Sequence, residues 1–323
     1  ASKDFMALPV IFGSDTDIVV HKNEKIKDFL YRNHIQIERH WFTGLRFEGF
    51  CIQTCNICNV PEGGGSECLT VDPPAGYNKN MEKMEKLKKL VDKCGYPVAF
   101  TGAGISADSG IPTYRGQDGY WNKYDPGKYA DVNYFMKDPS YYWQFFRDVR
   151  YPALAAAKPN KAHKALASLE KRGKLKAVIT QNIDGLHQVA GSEEVLELHG
   201  NTRKFTCMSC GKVFNLEAVH ALLAHALPPA CDECGGLIRP QVVFFGESLP
   251  QDVLHRAQHE SARCDLFLVI GSSLVVQPAA SLPLVAAENG AKLVIVNKEA
   301  TPLDQRADPV IRDGAASVLQ ELL

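Results

Sequence analysis

The chain has 323 residues, 45% of them hydrophobic, and carries 36 Lys and Arg against 37 Asp and Glu. Such a length and composition allow one large domain plus a smaller one and exclude whole-chain disorder, while the balanced charge does not advertise nucleic acid or an anionic membrane as an obligatory partner. No apolar run approaches the ~20 residues that span a bilayer, so the expectation is a soluble, cytoplasmic protein.

Residues 1–80 include "GFCIQTCNICNVPEGGGSECLTVDPPAGYNKN", rich in Gly, Pro, Cys and Asn, which reads as loops and a linker closing an N-terminal Cys-rich module of unknown role. From residue 81 helix-like and strand-like pieces alternate. "MEKMEKLKKLVDKC" has helical apolar spacing and "YPVAFTGAG" is a short buried strand ending in glycines; a helical stretch follows around "PSYYWQFFRDVRYPALAAA". Further strands are expected in "KLKAVITQNID", "PQVVFFGE", "CDLFLVIGSS" and "AKLVIVN". These are near-continuous apolar runs, as a parallel sheet covered by helices on both faces requires. The expected fold is therefore α/β, a doubly wound, Rossmann-like parallel sheet over residues 81–323. A smaller inserted module, at about 203–238, interrupts it, and no internal repeat is visible.

Eight of the ten cysteines fall in two clusters, with Cys94 and Cys264 apart. Cys207, Cys210, Cys231 and Cys234 form two Cys-x2-Cys knuckles separated by twenty residues. Paired knuckles present four thiolates to one tetrahedral ion, so a structural zinc is expected in preference to four free thiols. The N-terminal set, Cys51, Cys55, Cys58 and Cys68, is spaced less regularly, with His34 and His40 upstream as substitute ligands. A second zinc, an iron–sulfur cluster and no metal at all remain open for it.

In "VAFTGAGISADSGIPTYRG", Gly102 and Gly104 open a glycine-rich turn after a strand, but the next glycine, Gly110, comes six residues later. That is an imperfect match to the dinucleotide fingerprint of dehydrogenases. Arg115 beside glycine-rich backbone suits a pyrophosphate, whose oxygens a guanidinium and exposed N–H groups can both meet. Asn182 and Asp184 in "TQNID" end an apolar strand, where open α/β sheets place ligand-contacting groups, although Asn and Asp also end strands as turn residues. His199 in "ELHGN" follows another short apolar strand, and an imidazole can accept a proton near neutral pH. His187 in "DGLHQ" is its competitor; His163 in "KAHKAL" reads as helix packing or surface.

"GAGISADSGIPTYRG", "TQNIDGLHQVAG", "LHGN", the double Cys-x2-Cys, "VVFFGE", "GSSLVVQPAA" and "VIVN" occur in the order found in sirtuins. The chain thus resembles the bacterial and archaeal NAD-dependent protein lysine deacylases from about residue 83 to its end; residues 1–80 lie outside the resemblance. The resemblance implies consumption of NAD: the acyl oxygen of a modified lysine attacks the nicotinamide ribose, nicotinamide leaves, and the acyl group ends on ADP-ribose. It implies His199, Asn182 and Asp184 as catalytic residues. It implies a cofactor site of Gly102, Ala103, Gly104, Ser106, Tyr114, Arg115, Gln181, Asn182, Ile183, Asp184, Gly271, Ser272, Ser273 and Asn297. It also implies that a peptide is held as an added strand between "VVFFGE" and "SLVVQP", with Phe245 walling the acyl-lysine tunnel near Val243, Gly246, Glu247 and Val276. One of Phe244 and Phe245 is expected in the core.

Thr113-Tyr114-Arg115 stands where many deacetylases carry Asp-Phe-Arg, a version that recurs in members removing acidic acyl groups. Those members also present Tyr-x-x-Arg on the next helix, and here Phe146 and Val149 occupy the two positions, which favours acetyl or another uncharged acyl. Arg147 and Arg150 keep the acidic alternative open. A mono-ADP-ribosyltransferase, or an NAD-sensing scaffold recruiting a partner through the N-terminal cysteines, are the competing functions; hydride transfer is the weakest. The expected partner is an acyl-lysine protein or peptide, with no membrane or nucleic acid, and the oligomeric state is left open.

Overall fold

In the computed structural model the described residues are 80–116 and 119–323, together with the backbone of Arg46–Phe47, Phe50–Gln53, Cys68–Thr70 and the first turn of the helix Tyr77–Lys93. The backbone divides into two compact units, Ala1–Tyr77 and Asn78–Leu323. In the first, β1 (Arg46–Phe47) pairs antiparallel with β2 (Phe50–Gln53), which pairs parallel with β3 (Cys68–Thr70), bringing Cys51 and Cys68 into Cα register. The side chains of Cys51, Cys55, Cys58 and Cys68, and of His34 and His40, lie outside the described residues.

The second unit is built on a six-stranded parallel sheet. Its strands are β4 (Pro97–Thr101), β5 (Ala177–Thr180), β6 (Val195–Glu197), β10 (Leu266–Ile270), β11 (Lys292–Val296) and β12 (Val310–Ile311), in the spatial order β12-β11-β10-β4-β5-β6. Every residue of β4, β5 and β10 is buried, because helices cover both faces. The helices Tyr77–Lys93, Lys161–Lys171 and Ala315–Gln320 pack Leu87, Leu90, Leu166, Leu169 and Val318 on one face. Gln251–Arg263 and Leu282–Glu288 pack Ala257, Leu282 and Ala286 on the other, around Phe100 and Phe267. The chain runs from β4 to β5 and β6 on one side and then from β10 to β12 on the other. The topological switch therefore falls between β4 and β10, where an open sheet leaves a crevice at its carboxyl edge.

The inserted module is an antiparallel sheet of order β8-β7-β9, from β7 (Gly200–Cys207), β8 (Val213–Asn215) and β9 (Ile238–Val242), with the helix Leu216–Leu223. Here the structure corrects one expectation. "PQVVFFGE" is not a strand of the parallel sheet: its first part completes β9, and Val243–Glu247 is a turn. Of its apolar residues Val242 and Phe244 are buried, in an aromatic cluster with Phe135, Tyr142, Trp143, Phe146 and Phe205 that joins the module to the helices around residues 132–156, whereas Phe245 is exposed. Within those helices a wider turn at Phe146–Arg150 closes with i→i+5 bonds. Among the described residues no helix is long and apolar enough to cross a membrane.

Candidate active site

Gly102, Gln181, Gly271 and Asn297 each follow directly on a strand, and β11, β10, β4 and β5 are neighbours, so the four line one stretch of the carboxyl edge. The crevice is floored by close backbone contact. Gly271 sits at φ +62, and a Cβ there would stand 2.4 Å from the Ile105 N and 2.6 Å from the Gly104 carbonyl carbon. Gly102 N donates to Ile270 O (3.0 Å) and Gly104 N to Gly271 O (2.8 Å), so the two glycine-bearing loops are laced together. Only residues without a side chain fit there. Asn160 caps the helix Lys161–Lys171, and its Nδ2 donates to Ile105 O (2.7 Å) and to Ser109 Oγ (3.0 Å), fixing the loop from the far side.

Ala103, Ser106, Tyr114, Asn182, Ile183 and Asp184, six of the sequence-predicted residues, line a single cavity. Asn182 Nδ2 donates to Gly102 O and to Ser106 Oγ, both at 3.1 Å; Ser106 Oγ donates to Asp184 Oδ2 at 2.8 Å, and Asp184 Oδ1 accepts from Leu186 N at 2.9 Å. The carboxylate and the amide are thus oriented by a buried network. Beneath it, Thr101 Oγ1 donates to Thr180 Oγ1 (2.8 Å), which also accepts from Asn182 N (3.0 Å), and Thr101 lies 3.0 Å from His187 Nε2.

His187 and His163 are both buried, with ring centroids 4.9 Å apart. Burial pushes the His163 imidazole down to about 4, with Asp184 pulling the other way, and pushes His187 down to about 3, helped by His163. His163 is not a surface residue: its Nδ1 accepts from Asn160 N (3.4 Å), completing the helix cap, and its Nε2 faces Ser106 Oγ (3.4 Å).

His199 stands between β6 and β7. Gly200 holds φ +74 there, and a Cβ at that position would meet Gln241 O at 2.1 Å, so the "HG" pair lies tight against β9. The His199 carbonyl accepts from Val243 N (2.9 Å). Its Nδ1 lies 2.9 Å from the Gln181 carbonyl, which can only accept, so Nδ1 carries the hydrogen and Nε2 is left as a bare acceptor. Burial lowers the His199 pKa, with the Gln181 bond opposing, so Nε2 is unprotonated at neutral pH. The other end of Gln181 donates to Ser272 Oγ (2.7 Å), which also accepts from Leu274 N (3.3 Å). Leu274, at φ 56, is the one non-glycine residue with positive φ among the described residues, at the start of the "LVVQP" segment. Ser273 and Val276 are half-buried in that segment, and Asn297 Nδ2 donates to Glu299 O (2.8 Å).

Phe244 is 4% exposed and belongs to the core, whereas Phe245 is 42% exposed. Arg115 is exposed and is not in the cavity wall. The wall also contains Arg150, together with Tyr120, Ala153 and Leu154, which motif reading passes over because they lie on the turn Tyr120–Asn122 and the helix Tyr151–Ala156, not at strand ends. Arg150 donates to the Tyr114 hydroxyl and lies 5.6 Å over its ring, while Arg147 Nε turns to Asp148 (2.6 Å).

The Sγ atoms of Cys207, Cys210, Cys231 and Cys234 all lie within 4.8 Å of one another, at 3.5 Å for Cys207–Cys234 and 3.7 Å for Cys210–Cys231. A tetrahedron of sulfurs ~2.3 Å from zinc has edges of about 3.8 Å, so spacing and donor type both fit. The Cys210 backbone N–H, with that of Ser209, holds the Cys207 thiol down to about 6.

Fold and site together define an α/β protein with a crevice at the switch point, His199 beside it with its Nε2 left as an acceptor, and an inserted four-cysteine module. The chain belongs to the Sir2 family, whose model matches residues 102–278. It is 48% identical over 241 residues to NAD-dependent protein deacylase 1 of Archaeoglobus fulgidus, covering 74% of this chain and 96% of that protein. It is 51% identical over 230 residues to an NAD-dependent protein deacetylase of Sulfurisphaera tokodaii, covering 71% and 90%. A solved Sir2 with deacetylated p53 peptide and 3'-O-acetyl ADP ribose superposes with TM-score 0.72 at 44% identity, over 74% of this chain and 96% of that one.

Proposed function

We propose that residues 81–323 form an NAD-dependent protein lysine deacylase that transfers the acyl group, acetyl foremost, from an acyl-lysine protein or peptide to ADP-ribose with release of nicotinamide. The observation that carries this reading is the tautomer of His199: Gln181 O claims the Nδ1 hydrogen, and Nε2 is free to take a proton. Asn182 and Asp184, oriented through Ser106, hold the nicotinamide carboxamide, with Ile183 alongside. The loops at Gly102–Gly104 and Gly271–Ser273, with Arg115, Gln181 and Asn297, take the phosphates and riboses, since close backbone approach and exposed N–H groups suit anions. When the acyl oxygen has attacked the ribose C1' and nicotinamide has left, His199 Nε2 accepts the proton of a ribose hydroxyl, whose oxygen attacks the acyl carbon; the carbon–nitrogen bond to lysine then breaks, the amine leaving with a proton, and water adds to the acyl carbon as its bond to the C1' oxygen opens, leaving the acyl ester on ADP-ribose.

The four cysteines hold a structural zinc, because all the donors are protein thiolates and none of its positions is left for a substrate. An uncharged acyl group is supported by Phe146, buried in the core where an acid-binding tyrosine would stand, and by Arg147, turned to Asp148.

The test is incubation with NAD and acetyl-, longer acyl- and succinyl-lysine peptides, following nicotinamide and peptide mass beside His199→Ala. Peptide-dependent nicotinamide release with loss of the acyl mass is expected, reduced ~10²-fold or more in the variant. ADP-ribose added to intact protein, or no NAD turnover, overturns the reading.

A further inference from the structure

Arg239 is on β9, opposite Thr206 and one step from the Ile238↔Cys207 pair, so it sits in the cysteine module. Its side chain nevertheless reaches out of that sheet. Nη1 donates to Glu247 Oε1 and Nη2 to Glu247 Oε2, both at 3.0 Å, a fork-on-fork pair; Nη2 also lies 3.4 Å from Val242 O. The guanidinium carbon stands 5.5 Å over the Phe244 ring. Both partners are largely shielded, with side-chain exposures of 26% and 23%, so the pair is more than a solvated surface contact.

What the pair holds is a turn. Glu247 Oε2 accepts from Phe244 N (2.9 Å), and Glu247 N donates to Phe244 O (3.1 Å), closing Phe244–Glu247 around Gly246 at φ +89. On the other side Phe245 N donates to Ala130 O (2.8 Å) and Phe245 O accepts from Val132 N (3.0 Å). Between these two sets of bonds Phe244 points into the core and Phe245 stands exposed. Both Glu247 oxygens are engaged from within the chain, so this carboxylate acts on the turn.

We propose that Arg239 is a positioning residue for the peptide substrate: through Glu247 it sets the turn that presents Phe245, and so couples the cysteine module to the acyl-lysine groove. The inference rests on the deacylase reading above. The test is steady-state kinetics of Arg239→Ala, Arg239→Lys, Glu247→Gln and the double variant Arg239→Ala/Glu247→Gln, varying acetyl-lysine peptide and NAD separately, with metal content, melting temperature and nucleotide binding measured alongside.

Expected is a rise of about tenfold in the peptide KM of Arg239→Ala, the scale of losing one well-formed charged pair, with the NAD KM and kcat within about twofold and metal content unchanged. Arg239→Lys recovers part of the loss, because an ammonium replaces one arm of the fork. Glu247→Gln adds little once Arg239 is gone. A merely structural staple would raise both KM values together or lower kcat alone; either result, or additive single effects, overturns the proposal. Should Arg239→Ala not fold, Arg239→Lys and Glu247→Gln carry the same comparison. Should the wild type release no nicotinamide with peptide, the deacylase reading fails on its own, and anisotropy of a labelled acetyl-lysine peptide with and without Arg239→Lys still decides whether Arg239 governs peptide binding.

Discussion

The parallel sheet and the cysteine module of this chain are held together by different means. In the sheet, β4, β5 and β10 are buried at every position and five helices cover the two faces, so stability comes from apolar burial at roughly 25 cal/mol per Å². The module has three strands and one short helix, and two of its four clustered cysteines, Cys210 and Cys234, are exposed. Phe205, Phe214, Val219, Leu223 and Ile238 of the module are buried in a cluster shared with the helices around residues 132–156, and two of the four clustered thiols, Cys207 and Cys231, belong to it. One chain thus carries a sheet buried on both faces and a module that combines a shared apolar cluster with four clustered thiols whose spacing fits a zinc ion.

The largest effect that separates the two is metal removal. Chelation, or Cys231→Ser, is expected to release the ion and melt the module with a fall in melting temperature of at least about 10 °C, while hydrogen exchange in β4 and β10 stays protected; metal analysis and exchange mass spectrometry check it. Equal loss of protection in both regions would erase the distinction. Next comes Gly271→Ala, which forces a Cβ against Ile105 N and an unfavourable positive φ. A destabilisation of ~2–4 kcal/mol is expected, with a raised NAD KM and full metal content.

The pH dependence of stability sharpens the same contrast from the sheet side. His163 and His187 have folded pKa values of about 4 and about 3, below the ordinary 6.5, so below pH 6.5 the unfolded chain binds protons that the folded one refuses. Stability is therefore complete above about pH 6.5 and falls as pH drops towards 4, by at most ~1.4 kcal/mol per pH unit for each histidine. Denaturant titrations from pH 7.5 to 4.5 measure it, and His163→Gln should remove about half of the slope. The smallest effect belongs to the exposed Lys86–Asp308 ion pair, which ties the helix Tyr77–Lys93 to the β12 region. Lys86→Ala should shift the melting temperature by less than about 2 °C.

The positions of Gly102, Asn182, Asp184, Gly271 and Asn297 at the carboxyl edge were readable because a parallel strand announces itself as an apolar run whose end is marked by the residues that follow. The double Cys-x2-Cys was readable because metal geometry dictates ligand spacing. "PQVVFFGE" misled because its apolar run joins the end of a one-sided strand, where Val242 is buried and Gln241 exposed, to a turn in which Phe244 is buried and Phe245 exposed. Tyr120 and Leu154 left no signal, since neither ends a strand: Tyr120 lies on the short turn Tyr120–Asn122 and Leu154 on the helix Tyr151–Ala156, and both meet the cavity only through tertiary packing.

The amino-acid order alone therefore set the elements, the metal-binding spacing and the family, because each depends on chemistry local to a few consecutive residues. Folding in three dimensions decided which nitrogen of His199 keeps its hydrogen, that two buried histidines back the Ser106–Asp184 pair, and that Arg239 grips Glu247. Those facts depend on partners from distant parts of the chain, whose meeting is fixed by sheet order and packing and by no pattern within either segment.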